Sequence, residues 1–153
     1  MSGRRRLLCA ALAGLLLASG TLPAAETPLP FAHDLPLLAA DAARQGAPFI
    51  LLVSLSECRF CEKIRREHLL PLSQSGVPVW QIHLDGEAML VDFSGRRISE
   101  RQLAKDLKVR VAPSVFVFDA QGRQVAAPLV GTLLDDFYGA YLADAIAAGR
   151  AGA

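Results

Sequence analysis

The feature that most constrains this chain is a C-x-x-C motif, Cys58 to Cys61, at the junction of two different sequence patterns. Before it, residues 49–55 form a continuous apolar run of strand length, which predicts a strand buried on both faces of a sheet. After it, charged residues surround isolated apolar ones in a helical pattern that Pro71 is expected to close. We therefore expect the two cysteines at the exit of a strand and in the first turn of a helix.

The composition predicts one compact domain. With 153 residues, of which 52% are hydrophobic and 20% charged, the chain is too apolar to be disordered and has room for little more than one core. The formal net charge is +1 and the basic residues are scattered, so we expect no nucleic-acid partner. Any binding partner has to be inferred from the cysteine motif.

Residues 1–25 have the layout of a secretory signal peptide. Three arginines precede an apolar run over residues 7–18, and small residues follow. The run is shorter than the roughly 20 residues that span a bilayer, so we expect cleavage and a periplasmic or secreted product. The alternative is a retained membrane anchor formed by residues 7–18. After the signal we expect an extended lead-in over residues 26–33 and a folded domain over residues 34–150.

Signal cleavage would leave two of the three cysteines, because Cys9 lies within the signal. A structural disulfide framework would need more cysteines and wider loops, and a pair this close in sequence constrains little of the unfolded chain. A zinc site formed by the pair and His68 lacks a clear fourth ligand. We therefore expect no metal at the pair, and a structural staple is a poor explanation for it.

The rest of the chain predicts helices and strands in alternation. Asp34 can cap a helix through about Gln45, and Ser99 begins a capping box for a helix that ends near Leu107. The other predicted elements are strands over 79–84, 114–118 and 123–130, an irregular excursion or short hairpin over 85–97, and a last helix over 134–147 with Phe137, Tyr141, Leu142, Ala145 and Ile146 on its buried side. This order predicts an α/β fold in which helices flank a small mixed sheet.

In this order the chain resembles the thioredoxin superfamily. Residues 48–61 look like its strand leading into the C-x-x-C helix, residues 108–123 like its cis-proline strand and hairpin, and residues 129–132 like the glycine segment before its last helix. The resemblance spans roughly residues 34–147. It implies a thioredoxin-like fold and a redox-active disulfide between Cys58 and Cys61, with no other cofactor. The excursion over residues 85–97 is similar to that of exported members, including the SoxW-type thioredoxins of sulfur-oxidising systems.

Three further residues are candidates for substrate binding. The resemblance implies a cis bond between Ala112 and Pro113 beside the sulfurs, with the Ala112 backbone pairing to an extended substrate. Phe60, between the two cysteines, could form an apolar docking surface or pack inward from the helix. Both readings of Phe60 remain open from the sequence.

Cys58 is the predicted nucleophile, because only a thiolate attacks a disulfide and the start of a helix favours an anion. The guanidinium of Arg59 should help the helix start to lower the pKa of Cys58, whereas the carboxylate of Glu57 should oppose this. Six residues before Cys58, where thioredoxins have a buried aspartate, this chain has Leu52. Proton removal from Cys61 would therefore go through water or through a nearby carboxylate such as Glu57.

Together these features predict an exported, monomeric thiol:disulfide oxidoreductase that reduces protein or small-molecule disulfides and is recharged by a membrane thiol donor. A disulfide oxidase or isomerase is the alternative within this class, and the lack of a visible dimerisation domain counts against the isomerase. A second class is a non-enzymatic thioredoxin-fold module that binds a partner or carries a metal such as copper. The sequence leaves the direction of electron flow open.

Overall fold

The computed structural model describes residues 28–132 and 137–151, so the predicted signal peptide lies outside the described residues. A π-helical turn, Arg65–Leu69, joins the second helix to the third. The other elements are α1 (Leu35–Arg44), β1 (Phe49–Ser54), α2 (Arg59–Ile64), α3 (Leu70–Gln74), β2 (Val79–His83), β3 (Met89–Val91), β4 (Arg97–Ser99), α4 (Glu100–Asp106), β5 (Ser114–Phe118), β6 (Leu129–Val130) and α5 (Tyr138–Ala151). None of the described helices combines the length and the apolar character needed to cross a bilayer.

Strand β1 lies inside a four-stranded sheet with the order β2-β1-β5-β6. It runs parallel to β2 and antiparallel to β5, and β5 in turn is antiparallel to β6. All six residues of β1 are buried, which fits a continuous apolar run covered on both faces. The predicted mixed sheet flanked by helices is confirmed.

The two faces of β1 belong to two separate hydrophobic clusters. Ile50 and Leu52 pack with residues of α5 and of the helical segment after the cysteines. Phe49, Leu51 and Val53 pack on the opposite face with residues of α1 and α4. Each such side chain contributes on the order of 1.5–3 kcal/mol when fully buried. The end of β1, where the cysteine motif begins, is therefore held firmly from both sides.

The helix after the cysteine motif continues beyond Pro71, so the prediction that Pro71 closes it is wrong. After α2 the chain makes the π-helical turn, in which the N–H of Leu70 donates to the carbonyl of Arg65. The helix then restarts as α3 with Pro71 in its first turn. At that position the missing N–H of a proline costs no helical hydrogen bond. The wider π turn thus lets the helix pass a residue that would interrupt a regular α-helix.

The lead-in over residues 28–33 is extended and lies along the outer edge of β2. The Ala32 N–H donates to the Gln81 carbonyl, and the Gln81 N–H donates to the Pro30 carbonyl, both at 2.9 Å. The side chain of Leu29 is buried. The lead-in therefore covers the edge of β2 next to the cysteine end of the sheet.

The excursion after β2 contains the antiparallel hairpin β3–β4, which confirms the predicted hairpin, and its turn is repeated after β5. Asp92 and Asp119 each accept backbone N–H bonds from the residues two and four positions later, all at 2.9 Å. Each also accepts from the guanidinium of the arginine four positions later. The two turns touch, because a Cβ on Gly122 would lie 2.5 Å from the Phe93 ring. The sequences D-F-S-G-R and D-A-Q-G-R thus form the same turn twice.

The predicted strand over residues 123–130 is mostly wrong. Only Leu129–Val130 pairs with β5 as a strand, and Gln124 forms an isolated bridge to Phe118. Pro128, which has no N–H to donate, directly precedes β6. The segment between the turn and β6 is therefore an irregular return.

The last described helix begins at Tyr138, and its buried side differs from the predicted one. Three of the five predicted residues are buried, but Phe137 and Tyr141 are exposed. Tyr138 takes their place in the core because it lies one helical turn before the buried Leu142. Its ring also contacts the ring of His68, with centroids 4.8 Å apart.

Helix α4 has a capped start and a left-handed residue directly after its end. The Ser99 hydroxyl accepts the Gln102 N–H at 3.2 Å, as the capping box predicts, but the Gln102 side chain donates to Asp106 and does not complete the box. Lys108 has φ +59°, and its turn repeats that of Gly46, φ +62°, after α1. In both turns the N–H of the left-handed residue and the next N–H return to carbonyls of the last helical turn.

Candidate active site

Cys58 and Cys61 form a disulfide beyond the C-terminal end of β1, with their Cα atoms 5.2 Å apart. Cys58 is the N-cap of α2, and its Sγ accepts a hydrogen bond from the Cys61 N–H at 3.2 Å. The cysteines thus lie at the strand exit and in the first helical turn, where the sequence pattern predicted them.

The two cysteines differ in exposure. Cys58 is half-buried, whereas Cys61 is fully buried. Thiol–disulfide exchange requires direct contact between the attacking sulfur and the sulfur attacked. An external partner can therefore reach Cys58, while Cys61 is placed to react with Cys58 alone.

The residues around Cys58 give its sulfur an anion-favouring contact and neighbouring charges of both signs. The Cys61 N–H that now bonds Sγ would donate equally to a Cys58 thiolate. Such helix-start contacts stabilise an anion by roughly 0.3–1 kcal/mol. Glu57, directly before Cys58, is exposed and has a left-handed backbone with φ +55°. This conformation is uncommon outside glycine, and such residues concentrate at functional sites.

Arg59 and Phe60, between the cysteines, contact one another. The Arg59 guanidinium lies 4.7 Å from the centre of the Phe60 ring, a cation–π contact. Phe60 is 46% exposed, so of the two readings left open by the sequence the structure supports the surface position. The positively charged group of Arg59 therefore lies against the face of the Phe60 ring.

The Ala112–Pro113 peptide bond is cis and lies directly before β5. Strand β5 pairs with β1 so that Ser114, the residue after Pro113, is opposite Val53 near the end of β1. The loop therefore shares the edge of the sheet from which the cysteine motif emerges. Ala112 is half-buried, Pro113 is buried, and the preceding Val111 is 52% exposed.

A cavity of about 570 Å³ opens on the other side of Cys58, toward β2. Cys58 lines it together with the two predicted tuning residues, Glu57 and Arg59. Arg65 of the π-helical turn and His83 at the end of β2 form further parts of its wall. The predicted substrate-binding residues Ala112, Pro113 and Phe60 are not part of this wall. The half-buried Cys58 thus borders a charged cavity, and the proline loop lies at the same edge of the sheet.

Arg65 is a site residue that the sequence analysis missed. Its side chain is only 14% exposed and forms an ion pair with Glu62. Its Nε and one terminal nitrogen donate to Gln81 Oε1 at 3.2 and 3.0 Å. Gln81 in turn donates to the Leu29 carbonyl at 2.7 Å. The available signal was the helical spacing of positions 58, 62 and 65, which places them on one helix face.

Glu100, the first residue of α4, is buried next to His83, which ends β2 and lines the cavity. Burial raises the pKa of Glu100, and the hydrogen bond from the His83 backbone N–H opposes that rise. A Cβ on Gly86 would overlap the Glu100 carboxylate, so glycine leaves the space that the acid occupies. The His83 ring makes an edge contact with Phe31 of the lead-in, with centroids 5.0 Å apart. His83 is therefore fixed between the lead-in and α4.

Within residues 28–132 and 137–151, no group of three or more His, Cys, Asp or Glu side chains is arranged to hold a metal ion. The Cys58–Cys61 disulfide lies in the described site.

Comparisons with known proteins support this description. Residues 35–146 match the family described as the thioredoxin-like domain. No curated protein matches the chain by sequence. Among solved structures, a thioredoxin-fold protein from Helicobacter pylori has a TM-score of 0.52 at 15% identity, with 64% of this chain and 68% of that chain covered.

Two other solved structures cover more of the chain. DsbH oxidoreductase has a TM-score of 0.52 at 17% identity, over 90% of this chain and 95% of that chain. Thioredoxin NaTrxh from Nicotiana alata has a TM-score of 0.50 at 12% identity, over 78% and 96%. At these identities the likeness shows the fold alone. The family match spans most of the chain, and with the sheet order and the cysteine pair it establishes that this protein belongs to the thioredoxin-like domain family.

Proposed function

We propose that this protein is an exported thiol:disulfide oxidoreductase that reduces disulfides through Cys58 and Cys61. The observation that carries the proposal is the unequal exposure of the pair, with Cys58 accessible at a helix start and Cys61 fully buried behind it. This is the arrangement that a two-step exchange requires, since one sulfur meets the substrate and the other resolves the intermediate.

In the first step the Cys58 thiolate attacks one sulfur of a substrate disulfide. A bond forms between Cys58 Sγ and that sulfur, the substrate S–S bond breaks, and the other substrate sulfur leaves as a thiolate that takes a proton. The Cys61 N–H, which bonds Cys58 Sγ at 3.2 Å, stabilises the attacking anion.

In the second step Cys61 loses its proton and attacks Cys58 Sγ. The mixed disulfide breaks, the second substrate sulfur leaves as a thiol, and the Cys58–Cys61 disulfide forms. Two electrons have then passed from the dithiol to the substrate. Because Leu52 stands where thioredoxins have a buried aspartate, the proton of Cys61 leaves through water or a carboxylate such as Glu57.

The charges around Cys58 support the reducing direction. A C-x-x-C protein becomes a stronger oxidant as its reduced form is stabilised, chiefly through the outer thiolate. Here the Arg59 guanidinium lies over the Phe60 ring, and the carboxylate of Glu57 directly precedes Cys58. A carboxylate next to Cys58 limits the stabilisation of the thiolate, which favours a reductant over an oxidase. A membrane thiol donor would return the disulfide to the dithiol.

Three measurements on the purified protein test the proposal. Cys58→Ser should abolish reduction of a protein disulfide such as insulin, and Cys61→Ser should accumulate a mixed disulfide detectable by mass spectrometry. Equilibration with glutathione should give a reduction potential below about −200 mV, in the range of thioredoxins and glutaredoxins. A potential near −120 mV would indicate an oxidase, and full activity of the Cys58 variant would refute the dithiol mechanism.

Export is tested separately from the chemistry. When the full chain is produced in a bacterium, the mature protein should be recovered from the periplasm or medium. Its first residue, identified by mass spectrometry, should lie near position 26. Recovery of an intact N-terminus in the membrane fraction would favour the retained anchor.

A further inference from the structure

We propose that the cavity beside Cys58 binds small disulfides of the amino-acid or short-peptide class. A carboxylate of the ligand would contact Arg65, and its ammonium group would lie near Glu57. This inference rests on the proposed disulfide chemistry of Cys58 and names a substrate class for it.

Arg65 has the position and the free donors that a carboxylate site needs. A guanidinium carries five N–H donors, and the contacts to Gln81 and Glu62 use three of them, which leaves two for a ligand. Gln81 is 4% exposed and is itself held by the Leu29 carbonyl, so the guanidinium is fixed before any ligand arrives. Arginine in a fixed orientation suits a planar carboxylate, which it can bind through two parallel hydrogen bonds.

The charges of the cavity favour a ligand with both signs of charge. Arg59 and Arg65 are matched by Glu57 and Glu62 on the same wall. Glu62 is paired with Arg65, whereas Glu57 is exposed directly before Cys58. A ligand with an ammonium group and a carboxylate near its sulfur complements this pattern better than an anion alone. The volume, about 570 Å³, is within the usual range for small-molecule sites.

The cavity is separate from the loop at which an extended chain would pair. Ala112 and Pro113 precede β5, which lies on one side of β1, whereas Gln81 and His83 belong to β2 on the other side. The cavity and the proline loop are therefore two different surfaces at the cysteine end of the sheet. A protein disulfide can approach along the proline loop without using the charges of the cavity.

The reaction with such a ligand is balanced without a further reactant. Reduced protein and one disulfide give oxidised protein and two thiols. The bonds exchanged are the ligand S–S bond and the new Cys58–Cys61 bond, and the two protons come from the cysteine thiols. A dithiol reductant is needed only to prepare the reduced protein again.

The test compares three small disulfides that differ in charge. Cystine carries carboxylates and ammonium groups, dithiodipropionate carries carboxylates only, and hydroxyethyl disulfide is uncharged. Second-order rate constants are measured with the pre-reduced protein by following thiol release. Each constant is divided by that for the same disulfide with dithiothreitol, which removes differences in intrinsic reactivity. We expect cystine to exceed hydroxyethyl disulfide by about tenfold or more, with dithiodipropionate between them.

Variants of the cavity wall should change this selectivity in opposite directions. Arg65→Gln should lower the normalised rates of cystine and dithiodipropionate by about tenfold, equivalent to about 1.4 kcal/mol. The effect on hydroxyethyl disulfide should be smaller, because this ligand has no carboxylate. Glu62→Gln should raise the rate of dithiodipropionate, because it removes the negative charge that competes with a ligand carboxylate for Arg65. Arg66→Gln is the matched control, since Arg66 is the adjacent exposed arginine and is not part of the cavity wall.

The outcomes separate this inference from the proposed function. Equal normalised rates for the three disulfides, or equal effects of Arg65→Gln and Arg66→Gln, overturn the cavity assignment even if insulin is reduced normally. Failure to react with any disulfide, insulin included, overturns the proposed function and this inference with it. If Arg65→Gln does not fold, Glu62→Gln decides the matter, because that carboxylate is exposed and an unchanged rate of dithiodipropionate in this variant overturns the assignment.

Discussion

Replacing Asp92 with asparagine should destabilise the fold by about 1–2 kcal/mol at neutral pH. Burial raises the pKa of Asp92, but hydrogen bonds from Ser94 and Arg96 outweigh this and lower the pKa to about 2 from the ordinary 3.8. A shift of this size corresponds to about 2.4 kcal/mol. We discount that figure because the Arg96 side chain is 61% exposed and its charge is screened by solvent.

The stabilisation by Asp92 should disappear in acid. Its pKa is lower in the folded than in the unfolded protein, so the unfolded chain takes up the proton first as the pH falls. The contribution is therefore complete at neutral pH and is lost as the pH falls from about 4 toward about 2. Asparagine does not titrate, so the stabilities of the two proteins should converge in this range.

The assay is urea unfolding of the oxidised protein followed by fluorescence of Trp80. This single tryptophan stacks on Phe49, with ring centroids 5.2 Å apart, so it should report loss of the core. Asp119→Asn is a replicate in the repeated turn: burial opposes the shift there too, but hydrogen bonds from Arg123 lower the pKa of Asp119. A stability difference that is the same at neutral pH and at about pH 2 would refute the charge-based reasoning.

Three further predictions concern the backbone and the buried acid. Lys108→Gly should raise the free energy of unfolding by up to about 1 kcal/mol, seen in calorimetry as a higher melting temperature. A non-glycine residue in the left-handed region costs roughly 1–2 kcal/mol, and the greater flexibility of glycine in the unfolded chain offsets part of the gain. A lower melting temperature would contradict this. Gly122→Ala should lower the urea midpoint more than Gly95→Ala, since both are left-handed but only position 122 meets Phe93, and equal costs would argue against that contact. Because burial raises the pKa of Glu100, the wild type should lose stability relative to Glu100→Gln as the pH rises above about 4.5. Urea unfolding at several pH values measures this difference. A difference that stays constant with pH would show that folding does not raise the pKa of Glu100.

The cysteine site could be predicted because its determinants are local. A continuous apolar run predicts a buried strand, and the two sulfurs follow directly on it. The cap of α4 at Ser99 and the turn at Asp119 likewise depend on residues within four positions of each other. Such short-range patterns predict local structure without knowledge of the tertiary contacts.

The errors lie where distant contacts decide the local structure. A proline usually ends a helix, but the π-helical turn before Pro71 carries the helix past it. The buried side of α5 was misassigned because Tyr138 packs near His68, a contact that periodicity alone does not reveal. The cavity could not be predicted, because Arg65 in the π-helical turn is held by Gln81, which lies 16 residues later on strand β2.

Hydrogen bonds from Leu29 through Gln81 to Arg65 connect the extended lead-in, residues 28–33, to the wall of the cavity. If residues 28–33 detached from β2, the Gln81 amide would lose its acceptor and the Arg65 guanidinium would lose a fixed partner in the same local opening. Amide hydrogens of Ala32 and Gln81, which pair across this edge, should then exchange with solvent together. We therefore expect the extended segment over residues 28–33 to help hold the charged wall beside Cys58 together.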